Sequence, residues 1–89
     1  MKEELHLSIV SPEKSLFEGD VKIVTLPGTI GLFSILPGHA PIVSSLKAGT
    51  LSYTTMDDEE HMLDIQGGFV ELSDGIASVC TSLQKDSTQ

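Results

Sequence analysis

Asp57-Asp58-Glu59-Glu60-His61 sets carboxylates and an imidazole in a row, the donor types that hold a divalent cation. Consecutive strand residues point to opposite faces, and the spacing and glycine of a calcium-binding loop are missing, so a solvated hairpin tip is the better reading. Serine, histidine and aspartate all occur, yet there is no Gly-x-Ser-x-Gly elbow to present a nucleophile, and no catalytic residue is assigned. Gly28-Thr29-Ile30-Gly31 has the look of a phosphate cradle but lacks the third glycine and following helix of a dinucleotide site. The Gly-Lys-Ser/Thr of a nucleoside-triphosphate loop is absent as well. Cys80 stands in the apolar run Ile76-Ala77-Ser78-Val79-Cys80 without a basic neighbour to activate it, which predicts a core thiol. His39 differs in context, because Pro37-Gly38-His39-Ala40-Pro41 restrains the backbone around its imidazole. Its ring is either bonded to loop carbonyls or presented to a partner. His6 and His61 read as ordinary strand residues. No metal, nucleotide or other cofactor site follows.

Bulk composition agrees with this lack of catalytic chemistry. The chain has 89 residues, five Lys+Arg against thirteen Asp+Glu, a formal charge of −8 and 39% apolar residues. One small core is all it can build, and a domain of this size buries only roughly 60% of its unfolded surface, leaving little stability for a strained cleft. Phosphate affinity comes from Lys and Arg, so an acidic chain without arginine is no nucleic-acid binder. No apolar run approaches the ~20 residues of a membrane span, and Met1-Lys2-Glu3-Glu4 does not open a signal peptide. A soluble protein that is not exported by that route is expected, without lipid insertion. A single cysteine closes no internal disulfide, which suits a reducing compartment.

The elements that carry these residues read as strands throughout. Leu5, Leu7 and Ile9 alternate with His6, Ser8 and Val10, the period of a half-buried strand. Ser11-Pro12-Glu13-Lys14 breaks the run, Leu16-Phe17 forms a short strand ending at Glu18-Gly19-Asp20, and Val21–Leu26 follows until Pro27-Gly28 stops it. Ile42-Val43 with Leu46, then Leu51–Met56, Met62–Gln66, Phe69–Leu72 and Ile76–Thr81 complete the set. Gly67-Gly68 bends the chain, and Asp74-Gly75 is a strong hairpin signal. No window keeps helical periodicity. The expected fold is all-β, a flattened antiparallel β-sandwich of about ten short strands in two sheets, with a domain over 1–82 and a short polar tail over 83–89.

Between Pro27 and Pro41 the chain is loop-like yet apolar, with Ile30, Leu32, Phe33, Ile35 and Leu36 among three prolines and three glycines. Irregular segments usually lie at the surface, where water satisfies their backbone, so these side chains either fold back on the core or meet a partner. Docking is the favoured reading.

The stretch Leu26-Pro27-Gly28-Thr29-Ile30-Gly31-Leu32-Phe33-Ser34-Ile35-Leu36-Pro37-Gly38-His39-Ala40-Pro41 resembles the epsilon subunit of bacterial F-type ATP synthases. The resemblance extends upstream through Val10-Ser11-Pro12-Glu13 and Leu16-Phe17-Glu18-Gly19. Downstream it runs through Leu46-Lys47-Ala48-Gly49 to Gly67-Gly68-Phe69-Val70-Glu71-Leu72, so it covers nearly the whole chain in order. It implies a rotor subunit at the foot of the central stalk, peripheral on the cytoplasmic face of the bacterial inner membrane and monomeric when isolated. There it links the gamma subunit to the ring of c subunits and passes proton- or sodium-driven rotation to the catalytic heads, with no bond chemistry of its own. By the same resemblance Gly28, Thr29, Ile30, Gly31, Leu32 and Phe33 face the c ring, and Ser11, His39 and Ser44 face gamma.

Two departures alter the expectation. Relatives often carry an acidic residue where Leu32 stands, and leucine shifts that contact from charge pairing to apolar burial. Typical members continue into two C-terminal helices that inhibit ATP hydrolysis and in some cases bind ATP. A chain ending at Gln89 is expected to lack that switch and its nucleotide site. The competing reading is a small β-sandwich ligand-binding module, which is poorly supplied with stacking rings at one Tyr, three Phe and no Trp.

Overall fold

The computed structural model describes residues 4–83, and within them the chain is built of strands alone. In order these are β1 (Leu5–Val10), β2 (Ser15–Pro27), β3 (Leu32–Ile35), β4 (Ile42–Leu46), β5 (Gly49–Thr55), β6 (Glu60–Ser73) and β7 (Ile76–Leu83). The strand count is seven rather than about ten because β2 and β6 run on where breaks are expected. Gly19 does not turn the chain; it pairs with Leu7 across the β1–β2 ladder and lies against the Phe17 ring. Gly67-Gly68 bends β6 without ending it, through a bulge in the β6–β7 register between Ile65 and Gly68.

These two long strands hold the layers together. The first half of β2 pairs with β1, and its second half pairs with β5 and β3. The first half of β6 pairs with β5, and its second half lies between β4 and β7. One layer therefore reads β4-β6-β7-β1-β2 and the other β3-β2-β5-β6, with β2 and β6 crossing between them. Most pairings are antiparallel, as expected; β1 and β7 run parallel, with Leu7 beside Ala77 and Ile9 beside Val79. Asp74 and Gly75, both at positive φ (53° and 75°), form the two-residue turn between β6 and β7.

The core follows from the period-two alternation. Leu5, Leu7 and Ile9 of β1 face Val70, Leu72, Ala77 and Val79 of their own layer and Val24, Leu26, Ile35, Leu51 and Tyr53 of the other, all buried. The Phe17 and Tyr53 rings pack against each other tilted at 37°, with centroids 4.4 Å apart. Among the described residues Thr81 is the buried polar one, and its hydroxyl donates to the Gly67 carbonyl at the β6 bend. Cys80, expected in the core, alternates with buried Val79 and Thr81 and so points outward, half-exposed. Leu83 belongs to β7, and the remainder of the expected tail lies outside the described residues.

Candidate functional site

Pro27 ends β2 because it cannot donate to the ladder, and the chain turns at once: the Gly31 amide donates to the Gly28 carbonyl at 3.1 Å. Only glycine fits position 28, since a Cβ there would stand 2.8 Å from the Gly31 carbonyl oxygen and 2.9 Å from the Phe33 ring. Two further main-chain bonds tie this turn to the end of β4. Thr29 donates to Ser45 at 3.1 Å and Lys47 donates to Pro27 at 2.8 Å, around an isolated bridge between Gly28 and Leu46. The turn is thus held at both ends, and its apolar tip is raised into solvent. Ile30 is fully exposed at 101% and Leu32 is 72% exposed.

Beyond the tip the apolar stretch is not a loop. Leu32–Ile35 forms β3 against β2, and its alternation sorts the hydrophobes: Ile35 is completely buried opposite Val24, and Phe33 packs on the core opposite Leu26. The Thr25 and Ser34 hydroxyls bond across this ladder at 2.8 Å on the outer face. The core-filling reading holds for Phe33 and Ile35, while Ile30, Leu32 and Leu36 face outward.

Ser44 lies beside this turn. It sits on β4 opposite buried Val70, and its hydroxyl donates to the Ser45 carbonyl at 3.1 Å. With Gly28, Ile30, Gly31, Leu32 and Phe33 it lines a surface depression of about 340 Å³. His39 is placed elsewhere, in a turn closed by its own amide bonding Leu36 at 3.1 Å, with Gly38 at φ 87° after Pro37. Its Nδ1 lies 2.7 Å from the Ala40 carbonyl; a carbonyl only accepts, so Nδ1 carries the proton. Glu4, Asp74 and Gly75, at the starts of β1 and β7, line the same depression as His39.

Ser11 follows the opposite end of β1, a strand length of roughly 17 Å away at 3.3 Å per residue. Its hydroxyl is committed to the hairpin turn, accepting from the Lys14 amide at 3.2 Å and the Glu13 amide at 3.3 Å. Of the three residues expected to face one partner, Ser44 is thus brought to the Gly28–Phe33 turn, and Ser11 and His39 are separated from each other by the length of β1.

Two features are not legible in the residue pattern. His6 is more than an ordinary strand residue: Nδ1 is 3.0 Å from Asp20 and Nε2 is 3.2 Å from Glu18. The bond to Asp20, then that to Glu18, raises its pKa from the ordinary histidine value. Its signal is the β1–β2 register, which pairs His6 with Asp20 and Ser8 with Glu18. The second is a row across the outer face of one layer, Ser45-Phe69-Cys80-Val10, with half-exposed Phe69 and Cys80 at its centre. At the acidic hairpin tip Lys22 pairs with Asp58 at 2.5 Å, and a hydrogen bond from Thr55 holds the Asp57 carboxyl below its ordinary pKa. Among the described residues no group of three or more His, Cys, Asp or Glu is arranged to hold a metal ion, and no helix is long and apolar enough to cross a membrane.

The model of the family described as "ATP synthase, Delta/Epsilon chain, beta-sandwich domain" matches residues 4–83. Similar curated proteins are ATP synthase epsilon chains. That of Bordetella parapertussis is 39% identical over 75 residues, covering 84% of this chain and 54% of that protein. That of Leptospira interrogans serovar copenhageni is 41% identical over 78 residues, covering 88% of this chain and 61% of the relative. That of Chlorobium limicola is 43% identical, covering 84% of this chain and 85% of the relative. The chain thus spans little more than half the length of the Bordetella and Leptospira proteins. Among solved structures, a chain of the Euglena gracilis mitochondrial ATP synthase superposes with a TM-score of 0.84 at 22% identity, over 91% of this chain and 52% of its own. One from the central stalk and c-ring of the Tetrahymena thermophila enzyme gives 0.77 at 14% identity, over 99% and 75%. At such identities these two likenesses establish the fold.

Proposed function

We propose, on the premise that this chain belongs to the family of ATP synthase delta/epsilon-chain β-sandwich domains, that it is a non-catalytic rotor component joining the gamma subunit to the c ring. The observation that carries this reading is the Gly28–Leu32 tip. A small acidic domain raises two large aliphatic side chains into water on a turn that glycine and two main-chain bonds hold in place. Apolar surface displayed on a rigid support gains free energy when a partner covers it, and the backbone that carries it is already ordered, so the remaining ordering cost is that of the side chains.

In this reading Ile30 and Leu32 press on the polar loops of the c ring, Gly28, Thr29, Gly31 and Phe33 shape and support them, and Ser11, His39 and Ser44 serve the gamma contact. The domain sits peripherally on the cytoplasmic face of the bacterial inner membrane and transmits proton- or sodium-driven rotation through its stiffness. Two crossing strands and a glycine-pinned corner suit it to carry torque without shearing. Isolated, it is a monomer that inserts nothing into lipid. The test is assembly: mixed with purified gamma and a detergent-solubilised c ring, the chain co-elutes with both. Failure to bind either one rejects the proposal.

A further inference from the structure

The geometry points to a charged half of the c-ring contact: Lys47, beside the apolar tip, receives a carboxylate from the same c-subunit loop that covers Ile30 and Leu32. This rests on the reading of the tip as the c-ring contact and adds the chemistry that its partner must bring.

The backbone ties Lys47 to the tip. Its amide donates to the Pro27 carbonyl at 2.8 Å, and Pro27 also pairs with Leu32 in the β2–β3 ladder. Neighbouring strands lie 4.7–4.9 Å apart, so the main chains of Lys47 and Leu32 come within about 10 Å of each other, close enough for one loop to cover both. Lys47 is exposed and forms no ion pair among the described residues, whereas Lys22 is engaged with Asp58.

Charge singles out this end of the domain. From Val21 to Met56 the sequence holds no Asp or Glu, although the chain has thirteen. The depression at the tip, lined by Gly28, Ile30, Gly31, Leu32, Phe33 and Ser44, accordingly has no charged wall. Asp64 and Glu71 stand on β6, Asp64 bound by the Thr50 hydroxyl at 2.9 Å and Glu71 across from Val43, and neither pairs with Lys47. A carboxylate brought up elsewhere meets like charge: Asp57 to Glu60 at the β5–β6 hairpin, Glu18 and Asp20 on β2, Glu4 and Asp74 beside His39.

Leu32 contributes no charge, so Lys47 sets the sign of the contact. A loop that covers Ile30 and Leu32 takes water from the ammonium beside them, and an ammonium stripped of water without an acceptor opposes binding. A carboxylate replaces those bonds more strongly than a neutral carbonyl does. Repulsion by the rest of a chain of charge −8 directs that carboxylate to this end.

Equilibrium binding of the whole chain to solubilised c ring, with gamma present, tests this. Lys47→Met keeps the length of the side chain without its charge. It is expected to lose about fivefold in ring affinity, and Lys47→Arg to stay within about twofold of the native chain, each fold checked by thermal melting. Lys14→Met, a charge removed from beyond the other end of β2, is expected to lose nothing. In a second measurement the loop carboxylates of the c ring are changed to amides. The native chain should then lose the same affinity, and Lys47→Met should cost nothing further. Native affinity in Lys47→Met, an equal loss in Lys14→Met, or a further loss on the amide ring overturns the carboxylate partner and leaves the rotor assignment standing. A loss confined to gamma binding overturns the choice of occupant. Failure of the native chain to bind the ring overturns both.

Discussion

Replacing Ile30 or Leu32 by aspartate probes the proposed c-ring contact most directly, because both side chains can be changed without touching the core. Ile30 is fully exposed and Leu32 72% exposed in the isolated domain, so neither substitution opens a cavity. Complete burial of an aliphatic side chain of this size stabilises a complex by about 1.5–3 kcal/mol, and a carboxylate in the same place adds a desolvation penalty of its own. The expected loss is therefore roughly 10- to 150-fold in affinity for the c ring at each position. The assay is equilibrium binding of the immobilised chain to solubilised c ring in the presence of gamma, with thermal melting alongside. Melting should stay within about 0.5 kcal/mol of the unaltered protein, as for other surface changes. Met62→Asp is the control: that side chain is also exposed, at 64%, but lies on another strand and does not line the depression at the turn. Phe33→Asp is uninformative, since Phe33 packs on the core and its loss would destabilise the domain itself. Unchanged ring affinity in both Ile30→Asp and Leu32→Asp, or an equal loss in Met62→Asp, would refute the reasoning.

Gly68→Ala should be among the most damaging small substitutions, because φ is 139° there and a Cβ would lie 2.0 Å from the Cys80 carbonyl oxygen; a loss of roughly 3 kcal/mol or more is expected in urea melts. Thr81→Val removes the hydroxyl that bonds the Gly67 carbonyl while keeping the volume, for a cost of about 1 kcal/mol in the same assay. His6→Gln tests the ion-paired imidazole. Its folded pKa is raised, so the stabilisation is complete below about pH 6 and is lost as pH rises through the folded value. The melting-temperature gap between the native chain and His6→Gln should accordingly shrink from about pH 5.5 to about pH 8.5, and a gap independent of pH would exclude the pairing. The His6 ring resonances should titrate above the ordinary histidine value in the native chain, and nearer to it once Asp20 is replaced by asparagine.

The sequence by itself determined what depends on neighbours close along the chain. Alternation in Leu5–Val10 and Leu51–Thr55 marks which side chains face the core, Pro27-Gly28 marks where β2 must stop, and Asp74-Gly75 marks a tight hairpin, since φ and ladder bonding are local properties. The run from Leu26 to Pro41 was distinctive enough to point to the family. Tertiary structure alone decided which strands meet. The parallel pairing of β1 with β7 joins residues seventy positions apart, such as Leu7 and Ala77, and no local pattern encodes such a partner. For the same reason Gly19 and Gly67-Gly68 looked like breaks: a glycine permits a turn, but whether the chain turns or continues is settled by the strand across from it. His6 gained two carboxylate partners and Cys80 its outward place only through register, which converts distance along the chain into neighbours across a ladder. Ser44 came to lie beside the Gly28–Phe33 turn because Thr29 and Lys47 pin that turn to the end of β4, a contact between segments with the whole of β3 between them.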